Sequence, residues 1–387
     1  MQSIELFAGA GGLALGVARA GFRHNCLIES DKNACITLRE NQNHLFGETS
    51  QYPVIQCDIS KVDFTIINEQ IDFLTGGPPC QPFSVGGKHR GYLDQRDMFP
   101  QFLRAIRELK PRVILIENVK GLLRKSFTEY FEYIILQLTY PEIIIKSDET
   151  WINHLSRLKQ HHIKGFYKNL SYHVLFRLLN AADYGIPQQR HRIFIVCIRS
   201  DLNLEWSFPK PTHSQEALLW TQWVTKNYWA KHKILQSGVP KKLISQVQQL
   251  ESSLFPPDQL PWQTVRDALQ DLPEPIHAES TNIANHRFVD GAKAYPGHTG
   301  SLLDEPAKTL KAGVHGVPGG ENMVICSNGS VRYFTVREAA RLQTFPDEYL
   351  FSGSWTKAMH QLGNAVPVTL AEILASSIQN HLRIVKH

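Results

Sequence analysis

The stretch Gly76-Gly77-Pro78-Pro79-Cys80-Gln81-Pro82 places a single thiol directly behind two prolines. Proline fixes φ at about −65° and removes a backbone donor, so this turn is stiff and holds its cysteine still. A held thiol reads as a positioned nucleophile; an ordinary tight turn around a buried cysteine is the plain alternative. A free thiol has a pKa of about 8.5, which nearby cations lower, and a basic segment begins just downstream at Lys88. Glu117 lies near the end of the apolar run 112–119. Beside Cys80 across neighbouring strand ends, partial desolvation would raise its pKa enough to let it donate a proton. In the stretch 188–192 the two arginines, Arg190 and Arg192, alternate, so both side chains would leave a strand on the same face. Taken one by one, these residues are more often structural than catalytic. Their joint placement at the strand ends of one sheet is what points to a site.

A second group surrounds the first glycine turn. Gly9, Gly11 and Gly12 separate a strand from a helical pattern, where glycines let the backbone approach a ligand at a helix N-terminus. Glu29 ends the next strand, 18 residues after Gly11, a spacing that suits a carboxylate gripping ribose hydroxyls. The dinucleotide pattern is incomplete, because Ala14 stands where its third glycine belongs. Asp58 ends the third strand and suits either a hydrogen bond from an adenine amino group or an ordinary strand-end cap.

These residues need a frame. Apolar strand-like runs at 3–7, 25–30, 52–59, 71–79 and 112–119 alternate with helical patterns, which predicts a doubly wound, mostly parallel α/β sheet. Phe7, Glu29, Asp58, Cys80 and Glu117 then all fall at carboxyl ends, where such sheets bind ligands. Residues 125–170 read as an inserted excursion, with further strands at 172–181 and 192–199. From 201 to 330 the alternation is lost, and Trp206, Trp220, Trp223, Trp229 and Trp262 appear among many prolines, glycines and histidines. This predicts a catalytic and cofactor domain over 1–200, a smaller loop-rich domain over 201–330, and a segment over 331–387 that returns to the first domain.

Composition narrows the classes. The 387 residues are 42% apolar and 20% charged, an ordinary globular balance. No apolar run approaches the ~20 residues of a membrane span, and the N-terminus lacks a basic leader, so neither membrane insertion nor export is expected. Six scattered cysteines without CxxC or zinc spacing predict a reducing, cytoplasmic setting and no metal. The net charge is +5, but Lys88–Lys125 holds ten Lys/Arg against four Asp/Glu, +6 in that stretch and −1 elsewhere. Such a stretch suits a phosphate-backbone partner or, as readily, a solvated helix face.

In this order the motifs resemble the DNA (cytosine-5)-methyltransferases of bacterial restriction–modification systems, over nearly the whole chain. The residues that carry the resemblance are ELFAGAGG (5–12), ESD (29–31), DI (58–59), GGPPCQPFSVGGK (76–88), ENV (117–119), QQRHR (188–192), REAARLQTFP (337–346) and QLGNAVP (361–367). The resemblance implies a Rossmann-like fold that uses S-adenosylmethionine and releases S-adenosylhomocysteine. Cys80 would add to carbon 6 of a cytosine flipped out of the duplex, making carbon 5 nucleophilic. Glu117 would engage ring N3, Arg192 the exocyclic oxygen, and Arg190 the backbone around the pocket. Phe7 would stack on adenine, with Ala8, Gly9, Gly11, Gly12, Glu29, Ser30, Asp58, Ile59, Pro79, Asn364 and Ala365 completing the cofactor site. DNA contacts would come from Gln81, Ser84, Lys88, Arg90 and Arg96 on a closing loop. From 201–330, Lys308 and Thr309 would meet the backbone and Arg287 a guanine. The implied partner is double-stranded DNA, bound by a monomer near the nucleoid, with a cognate endonuclease as functional counterpart and no stable complex. The segment Arg96–Phe99 is one residue shorter than the family pattern, so Met98 is not carried over as a cofactor contact. Three other readings compete. A nicotinamide oxidoreductase leaves Cys80, Glu117 and the arginines unexplained. An RNA cytosine-5 methyltransferase would not need a long variable domain. A non-catalytic DNA-binding regulator would require the loss of a chemical residue, and none is missing.

Overall fold

Val113, Ile114, Leu115 and Ile116 are completely buried, as a strand covered on both faces requires. In the computed structural model they begin strand β5 of a seven-stranded sheet. The structure describes residues 1–46, 53–79, 97–165, 168–236, 238–275, 283–296, 299–312 and 322–384. Cys80, Gln81, Ser84, Lys88, Arg90 and Arg96 therefore lie outside the described residues. Two compact units emerge: Met1–Leu179 with His191–Phe208 and Ala371–His387, and Asn180–Arg190 with Pro209–Leu370.

The first unit holds β1 (Gln2–Leu6), β2 (Arg23–Glu29), β3 (Val54–Gln56), β4 (Phe73–Gly76), β5 (Val113–Val119), β6 (Tyr172–Asn180) and β7 (His191–Arg199) in the order β3-β2-β1-β4-β5-β7-β6. β1 to β5 pair in parallel, and β7 runs antiparallel to β5. The expected doubly wound, mostly parallel sheet is present, and β1 and β2 end where the glycine turn and Glu29 begin their work. Helices α1 (Gly12–Arg19), α2 (Lys32–Glu40), α3 (Gln42–Phe46), α4 (Phe99–Leu109), α5 (Thr128–Thr139) and α6 (Trp151–Lys164) complete the layers. Asp31 caps α2, its Oδ1 accepting from the Ala34 amide at 2.8 Å.

The excursion at 125–170 forms α5, α6 and their connection. Tyr133 and Leu138 from α5 and Leu155 and Leu158 from α6 join the same apolar cluster as Ile114 and Ile116. His154, buried within it, bonds the Tyr133 hydroxyl at 2.8 Å and the Ile143 carbonyl at 2.8 Å. The insertion is thus a brace built into the core.

The second unit is made of short helices and two two-stranded sheets, His213–Ser214 with Leu260–Pro261 and Met323–Ile325 with Val331–Tyr333. Its Trp223, Tyr228 and Trp229 pack with Leu218, Leu219, Leu243 and Val247. The units divide elsewhere than at 200 and 330. Trp206 belongs to the first unit, its indole donating to the Ser377 hydroxyl at 3.0 Å. Residues 331–370 stay with the second unit, and the chain rejoins the first at Ala371, inside the helix Val368–Ile384.

Two consequences are measurable. Leu158→Ala should lower stability by about 2–5 kcal/mol in chemical denaturation, the penalty for a cavity in a shared core. A loose excursion would show a change within about 0.5 kcal/mol. Burial pushes the Glu5 carboxyl in β1 from 4.5 up to about 8, opposed by the Thr75 hydroxyl, which donates to it at 3.1 Å. The folded chain then holds a proton that the unfolded chain releases above 4.5, so stability falls as pH rises through about 8. His24, pulled down by burial from 6.5 to about 4, is neutral in the folded chain over pH 7–8 and has released most of its proton in the unfolded chain by pH 7, so it adds little to the slope there. Unfolding free energies from urea titrations over that interval should therefore decline in the parent, by up to about 1.4 kcal/mol per pH unit, and stay flatter in Glu5→Gln.

Candidate active site

Strand register brings the first pair of groups together. Glu117 on β5 stands opposite Phe194 of β7, and Arg192 is opposite Val119. Glu117 and Arg192 are thus diagonal neighbours on one face. Arg192 Nε lies 2.9 Å from Glu117 Oε1, with both side chains largely buried. The N–H direction misses hydrogen-bond geometry, so Oε1 is balanced by charge yet has no hydrogen-bond donor among the described residues. Arg192 Nη1 donates to the His191 carbonyl at 2.9 Å. Buried acceptors are almost always satisfied, so one left open beside a cation marks a place for a ligand donor.

The proline turn leans on the same strand. Asn118 Nδ2 donates to the Pro78 carbonyl at 3.1 Å, while its Oδ1 accepts from the Val119 amide at 2.8 Å. A Cβ on Gly77 would lie 3.3 Å from Glu117 Oε2, so glycine lets the chain pass close to the carboxylate. These contacts fix the last three described residues before Cys80. Of the other cysteines, Cys26 and Cys35 are buried and their thiols are pushed up to about 12 and about 11, and burial raises Cys197 as well. Such thiols are inert.

A cleft of about 150 Å³ opens at the ends of β1, β2 and β3, lined by Phe7, Ile28, Glu29, Ser30, Cys57, Asp58, Ile59, Pro79 and Met98. Six of its residues were expected from the sequence as cofactor contacts. Ile28, Cys57 and Met98 were not. Met98 was set aside because of the shortened loop, but its amide reaches the Pro79 carbonyl at 3.4 Å and carries it into the wall. Phe7 adopts φ 57°, a left-handed conformation that strains a bulky side chain and that clusters at ligand sites. Glu29 anchors the glycine turn: Oε2 accepts from the Gly9 amide at 2.7 Å, and Oε1 from the amides of Ser30 and Asp31 at 2.7 and 2.8 Å. Gly11, at φ 83°, precedes α1, Gly12 begins it, and Ala8 is tied to the Ile28 carbonyl at 3.1 Å. Asp58 is a cap, Oδ1 accepting from the Ser60 amide and hydroxyl, and these bonds hold its carboxyl below the usual range. The donor set fits an adenosine group: an aromatic face, a carboxylate with a lone pair to spare on Oε2 for hydroxyls, and a second acid near the base end.

Arg190 corrects the expectation of two arginines on one strand face. β7 begins only at His191, and Arg190 belongs to the second unit. Wholly buried, its guanidinium donates to the carbonyls of Leu310 and Gly363 at 3.1 and 2.8 Å. Gln188 joins this clamp, accepting from the Leu310 amide at 3.0 Å and donating to the Leu342 carbonyl at 3.2 Å. Gln343 holds the carbonyls of Leu362 and Ala365 at 2.5 and 3.3 Å, fixing the bend that carries Asn364 and Ala365. A Cβ on Gly363 would lie 2.2 Å from the Ala312 amide nitrogen, so the two backbones touch. The sequence reading missed Asn118, Gln188 and Gln343; their places inside quoted motifs were the available signal. In the same unit, the Thr309 hydroxyl donates to the Gln189 carbonyl at 2.6 Å, and Lys308 Nζ lies 3.0 Å from the Thr299 hydroxyl. Arg287 is exposed on its loop.

Residues 1–140 and 152–380 match the family described as C-5 cytosine-specific DNA methylase. The chain is 34% identical over 381 residues to the Type II methyltransferase M.Eco47II of Escherichia coli, covering 97% of this chain and 78% of the relative. It is 33% identical over 379 residues to the Type II methyltransferase M.PspPI of a Psychrobacter species, again covering 97% and 78%. In fold it is similar to the S. pombe Dnmt2 methyltransferase, with a TM-score of 0.56 and 19% identity over all of both chains. With the family matched along nearly its full length, the chain belongs to the C-5 cytosine-specific DNA methylases and is an S-adenosylmethionine-dependent DNA (cytosine-5)-methyltransferase.

Proposed function

We propose that this enzyme methylates carbon 5 of a cytosine flipped out of a short, specific duplex sequence, by covalent addition of Cys80 to carbon 6. The observation that carries this reading is Glu117 Oε1, buried beside Arg192 and without a hydrogen-bond donor among the described residues. A cytosine edge supplies the missing donor through its exocyclic amino group. Arg192 has guanidinium hydrogens left for the exocyclic oxygen.

Cytosine carbon 5 is a poor nucleophile while the ring is aromatic. The Cys80 thiolate forms an S–C6 bond, pushing the C5–C6 electron pair into an enamine as N3 takes a proton from Glu117 in its neutral acid form. When bound, S-adenosylmethionine would supply an electrophilic methyl group, its sulfonium–methyl bond breaking as S-adenosylhomocysteine leaves. Carbon 5 takes that methyl, then loses its proton to water; the C6–S bond breaks, the thiolate departs, and N3 returns its proton. Asn118 supports the step by holding the proline turn that carries the thiol. Phe7, Glu29, Ser30, Asp58, Ile59, Pro79 and Met98 hold the cofactor, Asn364 and Ala365 complete its site, and Gln81, Ser84, Lys88, Arg90 and Arg96 close over DNA.

The second unit reads the target sequence, with Arg287 meeting a guanine and Lys308 and Thr309 the backbone. Arg190 keeps the Leu310 and Gly363 segments in place for that task. Because its relatives carry Type II names, the biological setting we infer is protection of host DNA from a cognate endonuclease, by a monomeric cytoplasmic enzyme.

Bisulfite sequencing of plasmid DNA from cells expressing the chain tests the reaction. Protected cytosines should recur at one short motif, and Cys80→Ala should lose them while the purified variant still binds S-adenosylmethionine; methylation by that variant would exclude Cys80 as the nucleophile. Arg287→Ala should weaken discrimination at one base pair by about 1–3 kcal/mol. An equal loss on every DNA sequence would assign Arg287 to a phosphate.

A further inference from the structure

The basic stretch between Lys88 and Lys125 resolves into two kinds of cation. On α4, Arg104 is taken by the carbonyls of Val62 and Ile59 and by Glu108, and Arg107 by the Pro141 carbonyl. Lys110 faces Glu142 at 3.8 Å, and Arg112 is buried against Asp72 at 3.1 Å. These four are engaged within the first unit.

The remaining three described cations differ. Lys120, Arg124 and Lys125 are exposed, and among the described residues their side chains make no hydrogen bond or ion pair. All three sit on the turn that follows β5, which begins three residues after Glu117. That turn is rigid. Leu122 is 0% and Phe127 8% exposed, so both anchor it in the core. Its backbone is closed by bonds from the Arg124 amide to the Gly121 carbonyl at 3.2 Å and from the Phe127 amide to the Arg124 carbonyl at 2.8 Å. The Thr128 hydroxyl closes it further, donating to the Lys125 carbonyl at 3.0 Å. Val119, just before the first cation, and Leu123, between the first and second, are exposed at 39% and 37%. The next carboxylate along the chain, Glu129 in the first turn of α5, leaves this surface with a local excess of two positive charges.

We propose that Lys120, Arg124 and Lys125 form a second phosphate-binding surface of the first unit, one that grips the DNA backbone beside the extruded nucleotide while Val119 and Leu123 cover its sugars. A fixed turn with three unpaired cations carries its self-repulsion until an anion neutralises it, and it loses little side-chain-bearing backbone freedom on docking. Its place on the strand that carries Glu117 commits it to the same duplex that presents the cytosine. This inference rests on the DNA-methylating reading above.

Fluorescence anisotropy of the full chain with a labelled target duplex, between 50 and 300 mM salt, decides it. Each phosphate neutralised contributes about −0.9 to the slope of log affinity against log salt. The variant Lys120→Ala/Arg124→Ala/Lys125→Ala should flatten the slope by about 2–3 and weaken binding at low salt at least tenfold, with calorimetric S-adenosylmethionine affinity unchanged. The charge-keeping Lys120→Arg/Arg124→Lys/Lys125→Arg variant should bind like the parent. An unchanged slope in the alanine variant, with the parent binding and methylating DNA, would overturn this surface alone. A parent that neither binds nor methylates duplex DNA would overturn the surface together with the reading beneath it.

Discussion

The contact between Glu117 and Arg192 is the constraint around which the first unit is built. It exists because β7 runs antiparallel to β5 and brings Arg192 diagonally across from Glu117. An extra parallel strand would need a crossover and would offer a different register. Leaving a buried acceptor without a donor costs about 1–3 kcal/mol, so the surrounding structure has to hold it open. The wholly buried run from Val113 to Ile116 fixes β5, Gly77 admits the carboxylate's second oxygen, and Asn118 ties the proline turn to the same strand. A donor that arrives on a ligand recovers the penalty.

The same logic governs the cofactor cleft. Phe7 at φ 57° holds strain that a glycine would avoid, and it keeps an aromatic face at the mouth of β1. Glu29 stabilises that geometry from the next strand by accepting the Gly9 amide. The carboxylate fixes the protein's own turn with one set of lone pairs and, under the proposed function, would offer another to hydroxyls. Asp58 is similarly divided, because its cap on the Ser60 turn occupies Oδ1 and leaves Oδ2. In neither case does the structural role compete with the binding role, since a carboxylate has more acceptor sites than either task needs.

Much of this was legible in the sequence. Buried parallel strands are continuous apolar runs, so their positions and carboxyl ends could be read directly, and with them Phe7, Glu29, Asp58 and Glu117. Arg190 was misjudged because alternation predicts a shared face only inside a strand, and β7 begins one residue later. The limits of the second unit were misplaced because an exposed-looking tryptophan, Trp206, finds a hydroxyl on a helix 171 residues away. Asn118, Gln188 and Gln343 were passed over for a related reason: their partners are backbone carbonyls and amides, which leave no mark on residue identity. The charge of the stretch from Lys88 to Lys125 was readable as a sum. Among the described residues, its division into four cations with partners and three without depended on which carbonyls and carboxylates the fold brings within reach.

That division extends to the second unit and explains the choice of residue at its centre. Arg190 and Arg337 are both wholly buried. Arg337 binds the carbonyls of Ala284, Pro346 and Tyr349 at 3.2, 3.0 and 2.9 Å, and Arg190 joins Leu310 to Gly363. Each collects main-chain oxygens from segments far apart in sequence, in a region with few strands to pair them. A lysine ammonium could not do the same, because only the planar guanidinium fork presents fixed donors in several directions with weak hydration to lose. Where regular sheet is absent, buried arginine replaces the ladder as the means of holding backbone to backbone, and the exposed Arg287 loop is supported without being stiffened by strands of its own.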